Sequence, residues 1–154
     1  MKIAVLSDTH NLLRPEVLDV IQGADAILHG GDISSQKVVD QLSAIAPLYV
    51  VRGNNDKEWA EHIPHDLTVT LVGVTFYLVH KKKEIPALLP GVDVVIYGHS
   101  HKYSQEEKDG VCYLNPGSCG PRRFNQDLTL ARLEAEEGQI SVQKILIPHP
   151  EARL

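Results

Sequence analysis

Two histidines follow one short apolar segment, with a single residue between them. Apolar residues at 94–97 lead into Gly-His-Ser-His, which places His99 and His101 directly after the segment. Side chains at i and i+2 of an extended backbone point the same way, so two imidazoles can reach one place. Because neutral imidazole is the commonest metal ligand in proteins, this segment predicts part of a metal site.

Other apolar segments end in similar side chains: 3–6 at Ser-Asp-Thr-His, 26–28 at His-Gly-Gly-Asp and 49–51 at Arg-Gly-Asn-Asn-Asp. The candidate ligands are all oxygen or imidazole donors: Asp8, His10, Asp32, Asn54, His80, His99 and His101. Such a set suits Mn²⁺, Fe, Zn²⁺ or Ni²⁺ better than calcium or a copper–thiolate site. It exceeds what one tetrahedral ion uses, but it matches two ions that share a bridging carboxylate.

Each candidate also has a purely structural explanation. Asp8 and Asp32 could cap the helices that follow them, Asn54 suits a turn, and His80 could simply end a hairpin. That explanation must hold independently at every strand end, whereas a metal site accounts for all of them together. Other histidines lie outside the pattern: we expect solvent exposure for His62, His65 and His149, and either a ligand-orienting or a merely buried position for His29.

The spacing of the apolar segments indicates the elements that position these residues. Short continuous Val/Ile/Leu segments suit strands covered on both faces, and helical patterns at 15–22 and 35–46 separate them. Alternating strands and helices predict a parallel sheet whose carboxyl ends form one edge, where open α/β sheets place their ligands. Three glycines would allow sharp turns beside the site: Gly31, Gly53 and Gly98.

The second half of the chain predicts hairpins. Strand patterns pair at 67–71 with 75–80, at 103–107 with 111–114 around Asp109-Gly110, and at 127–133 with 139–147. A short helix is predicted over 85–89 and another buried strand over 94–97. We therefore expect one α/β (α+β) domain over residues 1–154, with a two-layered β core, more parallel at first and more antiparallel later, and helices outside.

Composition narrows the range of functions. The chain has 154 residues and a net charge of −5, and this balance disfavours an extended nucleic-acid surface or an anionic membrane as partner. Lys81-Lys82-Lys83 is the one cationic cluster and is typical of a solvated turn. Cys112 and Cys119 fit neither a zinc spacing nor a disulfide framework. With no signal-peptide pattern and no membrane-spanning apolar segment, we expect a cytoplasmic protein.

The blocks SDTH, GGD, GNND, GHSH and NPGS resemble the signatures of calcineurin-like metallophosphoesterases, specifically the small YfcE-type phosphodiesterases. The resemblance implies a four-layer sandwich of two mixed β-sheets flanked by helices. It also implies a site with two divalent ions, Mn²⁺ above all, with Ni²⁺, Fe or Zn²⁺ as alternatives. By position, Asp8, His10 and His101 would hold one ion, Asn54, His80 and His99 the other, and Asp32 would bridge them.

The activity implied by the resemblance is hydrolysis of small phosphate esters, most of all diesters, by a metal-bridging hydroxide. Catalytic roles would fall to Asp32, Asn54, Asn55 and Asp56. Many relatives have histidine at position 55, where it can protonate the leaving oxygen; asparagine cannot do so near neutral pH. We expect Asp56 to orient the loop, and Arg122 or Arg123 to lie near the phosphate or simply at the surface.

A second departure follows His80, where relatives often have His-Gly-His and this chain has three lysines, which would either form a positive rim that attracts an anionic substrate or simply be solvated. Two further functions remain open. The vacuolar-sorting subunit of retromer resembles the same fold and serves as a scaffold for protein contacts, and an intact but slow site could bind a nucleotide for regulation. A complete set of ligands favours catalysis over the scaffold. Exposed strand edges would permit a homodimer or a higher oligomer.

Overall fold

The computed structural model describes residues 1–123 and 125–148. Strands β1 (Lys2–Leu6), β2 (Ala26–His29) and β3 (Leu48–Val50) pair in parallel, with helices α1 (Pro15–Ile21) and α2 (Gln36–Ser43) as crossovers. This is the predicted parallel half of the core. No helix among these residues is long and apolar enough to cross a bilayer.

Both helices begin where the sequence predicts. Pro15 occupies the first turn of α1, where a missing N–H costs nothing. The Ser35 side chain accepts a hydrogen bond from the Val38 N–H and so caps α2. Helix α2 ends at Ser43, earlier than the predicted residue 46, because Pro47 disfavours helical geometry in the residue before it.

The second sheet is mixed. It contains β4 (Asp66–Leu71), β5 (Val74–Val79), β6 (Val94–Ile96), β7 (Tyr103–Lys108) and β8 (Val111–Pro116), in the order β4-β5-β6-β8-β7. Strands β5, β6 and β8 are parallel, and β4 and β7 are antiparallel to their neighbours. The first two predicted hairpins are therefore confirmed.

The last strands return to the first sheet. Strands β9 (Thr129–Glu136) and β10 (Gln139–Leu146) form the predicted hairpin, and β9 pairs antiparallel with β1. The first sheet thus has the order β10-β9-β1-β2-β3. Two mixed five-stranded sheets with two helices confirm the predicted fold class.

Three apolar layers hold these elements together. Between the sheets lie fully buried side chains of both, among them Val5, Leu28, Phe76, Ile96 and Leu133. Helices α1 and α2 cover the outer face of the first sheet through their own buried residues. On the outer face of the second sheet, segment 85–92 packs against β5 and β6.

The helix predicted over 85–89 is wrong. A 3-10 turn, Lys82–Glu84, lies just before it, and residues 85–89 follow an irregular path. Pro86 explains the difference, since proline disfavours the helical conformation in the residue before it. Ile85 is accordingly extended, with φ −68° and ψ 124°. The segment still covers the sheet, but it does so without helical hydrogen bonds.

His29 is a buried residue at the end of β2 whose ring makes hydrogen bonds to two loops. Its Nδ1 accepts a hydrogen bond from the Gly31 N–H at 3.0 Å. The ring proton therefore lies on Nε2, which donates to Thr9 Oγ1 at 3.1 Å. Burial lowers the pKa of His29 to about 4, so the neutral ring is maintained. Of the two alternatives for His29, the structure supports a buried residue that ties together the loops after β1 and β2.

Truncation of the inter-sheet core should destabilise the fold. Leu133→Ala removes a fully buried side chain of β9, and we expect the free energy of unfolding to fall by about 2–5 kcal/mol. Leu88→Ala is the matched control, because Leu88 is 83% exposed; its effect should stay within about 0.5 kcal/mol. Urea denaturation measures both, and equal losses would contradict the assigned core.

His29 should make stability sensitive to acid. Its folded pKa of about 4 lies below the value of about 6.5 for an unfolded histidine. As the pH falls through this window, the unfolded chain takes up a proton that the folded chain does not. Up to about 3 kcal/mol of stability is then lost.

The comparison of wild type with His29→Gln isolates this effect from other titrating groups. Glutamine offers one donor and one acceptor but does not titrate, so the variant should lose less stability between about pH 7 and about pH 4.5. Urea unfolding at both pH values measures the difference. Parallel losses in the two proteins would refute the assignment.

Candidate metal centre

The carboxyl ends of strands from both sheets meet at one edge of the molecule. The loops after β1, β2 and β3 supply Asp8, His10, Asp32 and Asn54; those after β5 and β6 supply His80, His99 and His101. The sequence predicted such an edge for the parallel strands. The structure shows that the edge belongs to both sheets, so residues far apart in the chain converge there.

Asp8, His10 and His101 form one cluster. Their candidate ligand atoms all lie within 4.8 Å of one another. Asp8 Oδ1 is 3.8 Å from His10 Nε2 and 3.5 Å from His101 Nε2, and the two imidazole nitrogens are 3.3 Å apart. Asp8 is fully buried. Two imidazoles and a carboxylate thus point their electron pairs at one position.

Asp32, His80 and His99 form a second cluster, and their candidate ligand atoms also lie within 4.8 Å of one another. His80 Nε2 is 3.3 Å from Asp32 Oδ2. Asn54 lies beside this cluster, with its Oδ1 3.2 Å from His99 Nδ1. Asp32 and His80 are buried, whereas His99 is exposed. The second cluster therefore opens toward solvent on the His99 side.

The two clusters share a centre. Asp8 Oδ1 also lies 3.8 Å from His80 Nε2, and Asp32 Oδ2 lies 3.7 Å from His10 Nε2. Each carboxylate therefore faces imidazoles of both clusters. All seven predicted ligand residues are brought together. The assignment of each to a particular ion stays a prediction.

The donor atoms fit a cation at this centre. Asp8 Oδ1 and His80 Nε2 are both buried and have no hydrogen-bond partner among the described residues, although buried polar atoms are nearly always paired. His80 Nδ1 donates to the Gly30 carbonyl at 2.7 Å, which leaves Nε2 as the atom that faces inward. A backbone carbonyl on the far ring nitrogen is the usual arrangement for a metal-binding histidine.

Electrostatics at the centre favour positive charge. Burial raises the pKa of Asp32, but the His80 imidazole 3.3 Å away and hydrogen bonds from Asn55 outweigh this effect and hold the pKa well below its usual range. Burial lowers the pKa of His80, yet the carboxylates of Asp32 and Asp8 raise it overall. The pKa of His10 is lowered, chiefly by burial. An ionised carboxylate and a neutral imidazole are the forms that bind metal.

The site places an unusual demand on the backbone. Five ligand candidates have φ between 43° and 75°, in the left-handed region: Asp8, His10, Asp32, His99 and His101. Two glycines allow the necessary close approach: a Cβ at Gly53 would overlap Asp32, and one at Gly98 would overlap Ser7 and the Asp8 carboxylate. Neither glycine has a positive φ; of the three noted in the sequence, Gly31 alone has one, at 103°.

Asn55 and Asp56 lie beside the second cluster in different roles. Asn55 donates to Asp32 twice, from its backbone N–H at 2.9 Å and from its side-chain amide at 3.0 Å. Asp56 is buried and accepts three backbone N–H bonds, from Ile33, Ser34 and Gly53. Its contacts support the expected loop-orienting role for Asp56.

Sequence reasoning missed a set of residues that support the ligands. Ser7 Oγ donates to Asp8 Oδ2 at 2.7 Å, and Ser118 Oγ donates to the Asp8 carbonyl at 2.9 Å. Asn115 is fully buried and donates to the Gly98 carbonyl and to Ser100 Oγ. Asn115 and Ser118 of the NPGS block therefore hold the loops after β6 and β1 in place, and the presence of this block together with SDTH was the available signal.

The two arginines after that block differ. Arg122 donates through Nε to the Gln126 carbonyl at 3.1 Å, so it is held locally. Arg123 is exposed and close enough for its charge to contribute to the lowered pKa of His10. His62 and His65 are exposed as predicted, while His149 lies outside the described residues.

Comparison with known proteins agrees with this geometry. Residues 1–138 match the calcineurin-like phosphoesterase superfamily domain. A probable metallophosphoesterase of Methanothermobacter thermautotrophicus is 30% identical over 152 residues, with 89% of this chain and 88% of the relative covered. Phosphodiesterase MJ0936 of Methanocaldococcus jannaschii is 32% identical, with 77% of this chain and 84% of the relative covered.

A solved structure shares the fold. Zinc-bound Vps29 of Entamoeba histolytica superposes with a TM-score of 0.73 at 23% identity, covering 95% of this chain and 99% of that one. At this identity the likeness concerns the fold alone. The family model, by contrast, spans most of the sequence, including every residue of both clusters. The chain therefore belongs to the calcineurin-like phosphoesterase superfamily.

Proposed function

We propose that the protein is a phosphodiesterase that works with two divalent metal ions. The observation that carries this proposal is the shared centre of the two clusters, where buried carboxylates and imidazole nitrogens converge. The name of the archaeal relative MJ0936 supports phosphodiesters as the substrate class.

The ligands divide between the ions as the family resemblance implies. Asp8, His10 and His101 would hold one ion, and Asn54, His80 and His99 the other. Asp32 would lie between them, since its Oδ2 faces imidazoles of both clusters. The nitrogen and oxygen donors suit Mn²⁺, which we favour, and also Zn²⁺, Ni²⁺ or Fe. Zinc in the Vps29 structure supports metal binding on this fold.

Two such ions supply an activated water near neutral pH and neutralise charge on the phosphoryl group. Hydrolysis then adds hydroxyl to phosphorus, breaks one ester P–O bond and leaves a proton for the departing alcohol. The chain offers no competing cysteine nucleophile here, because burial raises the pKa of Cys119 to about 12 and that of Cys112 as well. Arg123, whose charge affects the pKa of His10, would stabilise negative charge on the substrate from the rim.

The environment of Asn55 limits which phosphate esters can be hydrolysed rapidly. Its amide is held on Asp32 and cannot donate a proton to a leaving oxygen near neutral pH. Asp56 is equally occupied by backbone N–H groups. Esters whose leaving group departs without protonation should therefore react fastest.

The alternative function is a scaffold for protein contacts, as we infer for retromer-type subunits of this fold. The likeness to Vps29 supports that alternative only through the fold. The complete ligand set argues for catalysis, since a scaffold gains nothing from buried polar atoms without hydrogen-bond partners.

Cleavage of bis-p-nitrophenyl phosphate and p-nitrophenyl phosphate should separate these functions. After chelation we expect no cleavage, and added Mn²⁺ should restore it, because p-nitrophenolate departs from both esters without a general acid. Since the relative MJ0936 is a phosphodiesterase, we expect the diester to react faster. Release of p-nitrophenolate measures the rates. Absence of cleavage with Mn²⁺, Ni²⁺ and Zn²⁺, despite two bound ions per chain, would favour the scaffold or the regulatory nucleotide site.

Substitution of single ligands should abolish turnover without unfolding the chain. Asp32→Asn and His99→Ala should each lower the Mn²⁺-dependent rate by at least about a hundredfold and reduce bound metal, because each removes a ligand donor. Rates, metal content and circular dichroism give the three readouts. His62→Ala is the matched control, because this exposed histidine lies outside both clusters. Wild-type rates in both ligand variants would rule out the assigned site.

A further inference from the structure

A basic groove opens beside the exposed end of the second cluster. Its volume is about 490 Å³ and its walls include His99 together with four lysines, Lys81, Lys82, Lys83 and Lys102. We call this the lysine groove. The lysines come from two separate segments, one after β5 and one after β6, which the fold brings to the same opening. Because His99 belongs to both the groove and the metal centre, a bound molecule could occupy the two at once.

The charge of the lysine groove is unbalanced. No carboxylate lines it, and none of its four lysines forms an ion pair with an acidic side chain in residues 1–123 or 125–148. The chain as a whole has a net charge of −5. Four unpaired cations around one concave surface of an acidic protein create a local positive potential that attracts anions.

The floor of the groove keeps one of these cations in place. Lys82 Nζ lies 5.9 Å from the centre of the Tyr97 ring, a distance at which the ring face attracts an ammonium group. Tyr97 itself is 3% exposed, too buried to stack on a nucleobase. The groove is therefore shaped to bind charge rather than an aromatic ring.

A hydroxyl complements the lysines. Ser100 Oγ accepts hydrogen bonds from the Asn115 amide at 3.1 Å and from the Lys102 N–H at 3.3 Å. With both acceptor positions of this oxygen used, its O–H remains to donate outward. A hydroxyl donor beside ammonium groups suits a phosphate, which offers several strong acceptor oxygens.

We propose that the lysine groove binds a second phosphate group of the substrate, so that the preferred substrates are phosphodiesters carrying an additional phosphate monoester. This inference rests on the proposed function, since the metal centre would hold the phosphate that is cleaved. Lys82, Lys102 and Ser100 are then specificity-determining residues. The group that joins the two phosphates would be a nucleoside or another sugar, and Tyr97 is too buried to stack on it.

Two chromogenic substrates that differ by one phosphate test the proposal. The p-nitrophenyl ester of thymidine 5′-phosphate has only the scissile diester, and its 3′-phosphorylated form adds about two negative charges. We expect kcat/KM with Mn²⁺ to be about tenfold higher for the phosphorylated form at low salt. This ratio should shrink as NaCl is raised from about 0.05 M to about 0.5 M, because exposed charges are screened.

Variants localise the effect to the groove. Lys82→Gln and Lys102→Gln should each lower the ratio about three- to fivefold, as expected for an exposed ion pair, and the double variant should bring it close to one. Lys82→Arg keeps the charge and should keep the ratio. Lys2→Gln is the matched control, because Lys2 is an exposed lysine at the opposite end of β1 from the metal centre.

Competitors distinguish the sources of the second phosphate. Inhibition by both thymidine 3′,5′-bisphosphate and fructose 1,6-bisphosphate, weakened in the double variant, supports recognition of phosphate on any carrier. Inhibition by the nucleotide alone supports phosphate recognition on a nucleoside. If neither inhibits more strongly than inorganic phosphate, the proposal is overturned.

Cleavage of bis-p-nitrophenyl phosphate tests the phosphodiesterase activity separately from the lysine groove. Metal-dependent cleavage of it, with a substrate ratio near one in wild type, overturns the lysine groove but leaves the phosphodiesterase intact. A high ratio that Lys82→Gln and Lys102→Gln do not change also overturns the groove. Loss of cleavage for every ester refutes the phosphodiesterase itself.

Discussion

Two carboxylates buried at one edge of the molecule determine which groups must surround them. Asp8 and Asp32 are at most 2% exposed, and each faces imidazoles of both clusters. Removing ionised carboxylates from water is expensive unless positive charge or hydrogen bonds replace the lost hydration. Three hydrogen bonds with Ser7 and Asn55 satisfy part of this need. The remaining oxygen of Asp8 has no such partner, and a divalent cation is the species that would meet the requirement.

The fold meets this demand by joining the carboxyl edges of two sheets. A single parallel sheet would bring together the loops of β1, β2 and β3, but the imidazoles of His80, His99 and His101 come from the other sheet. Their rings reach the carboxylates because glycine backbones pack directly against Asp8 and Asp32. This arrangement requires left-handed backbone conformations at the candidate ligand positions, which cost conformational free energy. Burial of the apolar layer between the sheets supplies the stability that offsets this cost.

The parts of this arrangement that depend on local sequence were predictable. Strand ends, turn glycines and donor side chains recur together, so the convergence of the candidate ligands and the order of most elements follow from the sequence. The helix predicted over 85–89 is absent because the apolar pattern there arises from packing on the outer face of the second sheet, while Pro86 disfavours helical geometry at Ile85. Support from Ser7, Asn115 and Ser118 was not predictable, because each of their hydrogen bonds depends on how loops from distant segments meet.

Burial divides the candidate site into an enclosed part and an exposed part. Asp8, Asp32 and His80 are enclosed, so their geometry is fixed by the same contacts that stabilise the fold. His99, Asn55, Arg123, Lys82 and Lys102 are exposed, and none of them belongs to the buried apolar layers. Because exposed positions change at little cost in stability, substrate preference can vary among proteins that share this centre. Lys82, Lys83 and Asn55 lie in that exposed part, and they occupy the positions where the sequence differs from the motifs that the family resemblance implies.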